Sequence, residues 1–314
     1  MIPLTGRQES TSIALHGDAL LLSVANGRDW PAAETLKLDG LLLQRKTELH
    51  VTLLGRALAA AVRTRLSAEQ IRSLASQFDW SLRRTGNGSV LRKTKLEHGP
   101  ALPCASVVEW VELPAFSRFR QALAEAAGLS IPETLPHVTL YTAGDPAGIG
   151  VPDLDALAAM RQFDLRLPLD AAPPPPALPS HLRTAYEAAD YRIPQLSTRL
   201  RIGQPNRALD AELARRGAHR AIVVTACNPY SAVLIPSANA LRQQWLLHAL
   251  ERAGIAILPA ENRDPSGHWP CEPSLLAFDT TAAFDDFLLR RFEQHALIAM
   301  ESGQPARLRL HPDH

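Results

Sequence analysis

The sequence predicts an α+β protein built as two domains, and three observations carry that reading. Segments that read as strands are interleaved with segments that read as helices along both halves of the chain. The tetrapeptide His-Val-Thr-Leu occurs twice, at 50–53 and 137–140, each time inside an apolar run that reads as a buried strand. Between the halves lies Asp170-Ala-Ala-Pro-Pro-Pro-Pro-Ala-Leu-Pro-Ser180, where proline fixes φ and removes the amide donors that a helix or central strand needs. The expected division is a first domain over 1–169, a semi-rigid proline-rich linker over 170–180 and a second domain over 181–314.

In the first domain, strands are expected over 13–24, 40–44 and 48–54. Helices follow over 56–66 and 68–78, the second opened by the capping-box pattern Ser67-x-x-Gln70. Residues 80–94 read as a hairpin turned at Gly86-Asn87-Gly88. A strand over 105–112, a helix over 115–127 stopped by Gly128 and the strand of the second tetrapeptide complete this half. Strand and helix groups that end twice in the same tetrapeptide imply two pseudo-symmetric lobes with a cleft between them.

In the second domain, Asn206 caps a helix over 208–216, and an apolar strand over 219–226 leads into the loop Cys227-Asn-Pro-Tyr-Ser231. A helix over 238–253, strands over 255–259 and 273–278, a helix over 282–295 and a strand over 296–302 follow. The pattern is that of a small α/β or α+β domain.

The repeated tetrapeptide carries the chemistry. On an extended strand, residues two apart point to the same face, roughly 7 Å apart, so each copy presents an imidazole beside a hydroxyl. Val51 and Val138 then point into the core and fix the aim of the polar pairs. Cleaving a phosphodiester without a metal requires one group to take a proton from the attacking oxygen and another to protonate the leaving oxygen. Histidine serves both ends near neutral pH. Threonine hydroxyls suit the non-bridging phosphate oxygens. The competing reading makes His50 and His137 core histidines with satisfied hydrogen bonds.

With these residues the first half resembles the two-histidine (2H) phosphoesterases, which include bacterial RNA 2',3'-cyclic phosphodiesterases once described as 2',5' RNA ligases. That family is marked by His-x-Thr/Ser twice, with apolar residues at x and after the hydroxyl, and both copies comply. The resemblance implies a bilobal, pseudo-symmetric domain in which His50 and His137 are the acid/base pair and Thr52 and Thr139 hold phosphate. It implies a metal-independent phosphodiesterase, without cofactor, that opens 2',3'-cyclic phosphates on RNA ends or in small cyclic nucleotides. The alternative is a non-catalytic protein that binds a cyclic nucleotide or RNA end through the same pairs.

Around the motifs, Tyr141 is expected on the Thr139 face, either stacking on a base or packing at the cleft edge. Arg83, Arg84, Arg92, Lys93 and Lys95 form a run without an acidic residue; either Arg92 and Lys93 help bind a phosphate-bearing chain or the run is a solvated, edge-protecting face. A net charge of +1 gives no global reason to expect nucleic-acid binding. The chain of 314 residues is 46% hydrophobic, with no apolar run of membrane-spanning length and no signal-peptide layout in residues 1–11. Three widely spaced cysteines point to a reducing cytoplasm rather than to disulfides or zinc.

The second half carries Thr225-Ala-Cys-Asn-Pro-Tyr-Ser231 and Asp264-Pro-Ser-Gly-His-Trp-Pro-Cys-Glu-Pro-Ser274. These stretches resemble a family of uncharacterised bacterial domains, and that resemblance brings no activity with it. Both stretches are expected at strand ends, where Asn228, Tyr230, Asp264, Trp269 and Glu272 either line a second pocket or serve as turn residues. Asp264, His268 and Glu272 recur every four residues, but Pro265, Gly267 and Pro270 forbid the helix that would align them on a metal.

Overall fold

A computed structural model describes residues 12–16, 19–25, 30–96, 101–170, 172–267 and 269–314. The chain divides into two compact units, Met1–Trp30 with Glu34–Leu167 and Pro31–Ala33 with Pro168–His314. Strands and helices are mixed in both, and among the described residues every pairing between the named strands is antiparallel, which is the α+β class. Among the described residues no helix is long and apolar enough to cross a membrane. Residues 1–11, read for a signal sequence, lie outside the described residues.

The first unit is a nine-stranded sheet. Its main path runs β1 (Ser12–His16), β2 (Ala19–Val24), β5 (Leu49–Leu54), β8 (His137–Ala143), β7 (Leu102–Glu112), β6 (Arg83–Lys95) and β9 (Arg161–Arg166). A hairpin of β3 (Thr35–Leu38) and β4 (Leu41–Arg45) joins the later part of β8, with Gln44 opposite Thr142. Helices α1 (Arg56–Arg63), α2 (Ala68–Ala75), α3 (Ala115–Ala127) and α4 (Leu154–Met160) complete the unit. The capping box forms in full: Ser67 accepts from the Gln70 amide and Gln70 from the Ser67 amide. Gly128 ends α3 at φ 62°, where a side chain would be strained. Behind the sheet, Phe78 and Trp80 meet Phe119 edge-on at 5.8 and 5.2 Å between ring centroids.

The expected hairpin at Gly86-Asn87-Gly88 does not form. Residues 83–95 are one strand, interrupted by a bulge between Arg84 and Gly88. The reason is the fully buried Glu109 of β7, whose carboxylate accepts from Arg84 Nη2 at 2.7 Å and from the Gly86 amide at 3.0 Å. The Arg84 guanidinium also lies 4.3 Å from the Trp30 ring centroid. A Cβ on Gly88 would come within 2.4 Å of the Val108 carbonyl oxygen, so the second glycine allows close backbone approach rather than a turn.

The second unit is a seven-stranded antiparallel sheet, in order β11 (Thr198–Leu200), β10 (Asp190–Ile193), β13 (Ile257–Arg263), β14 (Glu272–Phe278), β12 (Arg220–Val224), β15 (Ala296–Glu301) and β16 (Arg307–Leu310). It carries α5 (Ser180–Ala188), α6 (Arg207–Arg216), α7 (Pro236–Arg252) and α8 (Ala282–Arg291). Asn206 caps α6 by accepting from the Leu209 amide. The proline-rich segment is tied to this unit: Pro173 accepts from the Tyr230 hydroxyl at 3.2 Å, and Asp170 ion-pairs with Arg291.

Replacing Glu109 with alanine leaves the Arg84 charge buried without its carboxylate, at an expected cost of about 3–5 kcal/mol. A urea-midpoint shift with an unchanged slope measures it. A loss below about 1 kcal/mol would class the pair with surface ion pairs.

Candidate functional site

At the middle of the first sheet Val51 of β5 and Val138 of β8 are Cα partners. Antiparallel strands number in opposite directions, so one step to either side sets His50 across from Thr139 and Thr52 across from His137. Directly opposed residues bring their Cβ atoms to roughly 5 Å. Val51, Leu53, Val138 and Leu140 are at most 2% exposed, whereas the two histidines and two threonines are half-buried on the other face. The register therefore places the quartet on one face, with each histidine across the ladder from the opposite copy's threonine.

Arg120 of α3 holds both strands in place. Its Nη1 donates to the Leu53 carbonyl at 3.0 Å and its Nη2 to the Pro132 carbonyl at 2.7 Å, joining the end of β5 to the segment that leads into His137. Trp110 on β7 is the Cα partner of His137, and the two rings meet edge-to-face at 5.6 Å. Trp110 Nε1–H donates to Ser89 Oγ at 3.0 Å, and the Ser89 hydroxyl donates to Asp164 Oδ1 at 2.5 Å, which fixes the indole. Beyond Thr139 the same face is closed by Val108, Ile149, Val151 and Leu157. Neither Trp110 nor Arg120 was indicated by the sequence, because cross-strand register and helix-to-loop contacts leave no spacing to read.

His137 Nδ1 lies 3.1 Å from the Leu135 carbonyl oxygen. A carbonyl only accepts, so the proton of the neutral ring sits on Nδ1 and Nε2 keeps a lone pair. Burial lowers the His137 pKa from the ordinary 6.5; the Leu135 hydrogen bond offsets part of this, and the charge of nearby His50 pushes it down further.

Three expected neighbours are elsewhere. In β8, Thr139 pairs with Val108 but Tyr141 pairs with Val107, so Leu140 is an extra residue and the alternation of faces slips. Thr139 and Thr142 consequently share a face, both within 3.3 Å of where a Gly148 Cβ would lie, and Tyr141 turns into the core at 0% exposure. Arg92 pairs with Ala105, which puts it on the face opposite Trp110 and His137, in an ion pair with Asp39 at 2.6 Å. Lys93 is on the histidine face but at the Cys104 end, beside Asp145. Arg83, Arg84 and Lys95 are likewise paired with Glu112, Glu109 and Asp145, so most of the basic run is engaged in internal ion pairs.

In the second unit, Asn228, Asp264, Trp269 and Glu272 line one cavity of about 150 Å³. Asn228 belongs to its polar wall and is in a left-handed conformation at φ 48°. Its Oδ1 accepts from Leu234 N and Asn239 Nδ2, which aims its Nδ2 at Glu272 Oε1, 2.5 Å away. Burial raises the Glu272 pKa above the usual carboxylate range, and hydrogen bonds from Asn228 and Asn262 offset part of the rise. Tyr230 is not part of the cavity wall. Its ring lies against His295 and His311, and its amide donates to Glu293 O at 2.6 Å. His268, the middle member of the Asp264, His268 and Glu272 series, lies outside the described residues.

Residues 224–297 match a family described as a protein of unknown function (DUF3293). The match contains both sequence stretches noted above and most of the cavity's polar wall. No curated protein and no solved structure matches the chain.

The site geometry predicts that His137 titrates with a midpoint below 6.5, and that His50→Ala moves this midpoint upward by removing a neighbouring positive charge. Imidazole NMR across a pH series reads both. A midpoint above 6.5 in the wild type would contradict the dominance of burial.

Proposed function

We propose that the first unit is a metal-independent phosphodiesterase that opens 2',3'-cyclic phosphates, on RNA ends or in small nucleotides, with His50 and His137 as the acid/base pair. The observation that carries this reading is the Val51–Val138 register, which gathers His50, Thr52, His137 and Thr139 on one half-buried face. A structural pair of core histidines has no need of a hydroxyl opposite each ring.

Roles follow from the environment of the His137 ring, which leaves the acid role to His50. Neutral His137 offers Nε2 to a water molecule and takes its proton as the water oxygen attacks phosphorus. His50 donates a proton to the departing ribose oxygen, the P–O bond to that oxygen breaks, and a phosphomonoester remains. Thr52 and Thr139 donate hydrogen bonds to the non-bridging oxygens, where charge accumulates. The cycle closes when His137 releases its proton to solvent and His50 regains one. Trp110 beside His137 gives a planar apolar surface against which a base or ribose can rest. The proposed setting is a reducing cytoplasm, in keeping with three free cysteines of which Cys104 and Cys227 are buried.

The test is product analysis of wild type, His50→Ala and His137→Ala on 2',3'-cyclic nucleotides and on RNA ending in a cyclic phosphate, with a chelator present. Each substitution should lower the rate by roughly 100- to 10,000-fold with the fold retained. The wild-type rate should be bell-shaped in pH and unaffected by the chelator. Its acid limb should lie below 6.5, because the base is active only once His137 has lost its proton. Tight binding of an intact cyclic phosphate without turnover would favour a non-catalytic reader of the same ligand.

A further inference from the structure

The cavity of the second unit has a chemistry that the phosphoester reading does not use. Its walls include Leu182 of α5, Val223 of β12 and Leu297 and Ile298 of β15, all apolar. At its polar end stand Glu272, held by the Asn228 amide, and the Tyr186 and Ser231 hydroxyls, which lie 2.7 Å apart. Trp269, 44% exposed, is the large aromatic side chain at the solvent boundary. Among the described residues, Asp264 and Glu272 line the cavity and no lysine or arginine does.

The two carboxylates are not equivalent. Asp264 is consumed by its own turn, accepting from the Ser266 amide at 2.8 Å, the Ser266 hydroxyl at 2.6 Å and the Trp269 amide at 3.2 Å. Glu272 is hydrogen-bonded by the neutral amides of Asn228 and Asn262, in a partly dehydrated place that disfavours its charge. A carboxylate so placed is stabilised by a cation that arrives with the ligand. The same carboxylate repels phosphates and carboxylic acids, because a second negative charge in a largely apolar cavity finds no partner. The strained backbone of the Asn228 loop keeps the amide aimed before any ligand arrives, as ligand clamps do.

We propose that this cavity binds a small organic cation, an amine carried on an apolar or aromatic body, with Glu272 as counter-ion and Trp269 against the body at the mouth. An ammonium group donates to the Glu272 carboxylate and to the Tyr186–Ser231 oxygens, while the hydrocarbon part fills the space bounded by Val223, Leu297 and Ile298.

An isosteric series on the full-length chain tests the charge requirement. Calorimetric titration compares phenethylammonium with 2-phenylethanol and with phenylacetate, which share the ring and differ in the charge of the head group. The amine should bind at least about tenfold more tightly than either, the value of one charge-assisted hydrogen bond. Glu272→Gln should abolish that preference, and Trp269→Ala should weaken all binding while leaving the preference in place. Thermal unfolding checks that both variants fold; if Glu272→Gln does not, the wild-type series decides alone. Phenylacetate binding as tightly as the amine, an unchanged preference in Glu272→Gln, or no heat from any of the three at millimolar concentration would overturn the proposal.

Discussion

The pairing of β5 with β8 is the constraint on which the first unit depends. Side chains alternate along a strand with a period of two, so a slip of one residue in either strand would turn its histidine into the core and its valine out. Val51, Leu53 and Val138 resist that slip because all three are fully buried. The apolar half of each tetrapeptide thus sets the aim of the polar half. Arg120 adds a second hold that the strands cannot supply, since the segment between α3 and β8 has no ladder of its own and takes one of its fixed points from that guanidinium.

Both units keep charge inside and satisfy it with backbone. Glu109 and Arg84 are mutually paired in the first unit, and the Gly86 amide fills a remaining acceptor site. In the second, the fully buried Arg242 donates from Nε to the Ala226 carbonyl and from Nη2 to the Phe292 carbonyl, each at 2.6 Å. Gln294 reaches the Cys227 carbonyl at 2.9 Å. These three bonds anchor the loop in which Asn228, Tyr230 and Ser231 all have positive φ. Left-handed backbone costs roughly 1–2 kcal/mol per non-glycine residue, so the loop keeps its shape only because neighbouring polar groups hold it.

What the sequence made legible is what period and capping encode. The two tetrapeptide strands, the Ser67 and Asn206 caps and the Gly128 stop are local, and they appear as read. Elements that owe their existence to partners were less visible: β3, β9, β10, β11 and β16 are short strands of mixed polarity, and α4 and α5 are helices of fewer than ten residues. The Gly-Asn-Gly turn was misread because glycine serves bulges as well as hairpins, and only the buried Glu109 distinguishes the two. Tyr141 was misplaced because alternation cannot foresee an extra residue at Leu140. Arg92 has a carboxylate partner more than fifty positions away, at Asp39, which sequence proximity does not reveal. In the second unit the stretches around Asn228 and Glu272 were read as one possible pocket, and four of the five residues do line one cavity.

The bulge at Leu140 also divides β8 into two stretches with separate obligations. Before it, His137 and Thr139 face the polar quartet beside β5; after it, Tyr141 belongs to the core and Thr142 pairs with β4. The extra residue works as a phase shifter, letting a single strand follow one alternation at its start and the opposite one at its end. Were Leu140 to take a regular place in the ladder instead, Thr139 and Tyr141 would share a face, and the strand would have to choose between burying Tyr141 and presenting Thr139. The bulge, and not the identity of the bulged side chain, therefore sets which face each half of the strand presents.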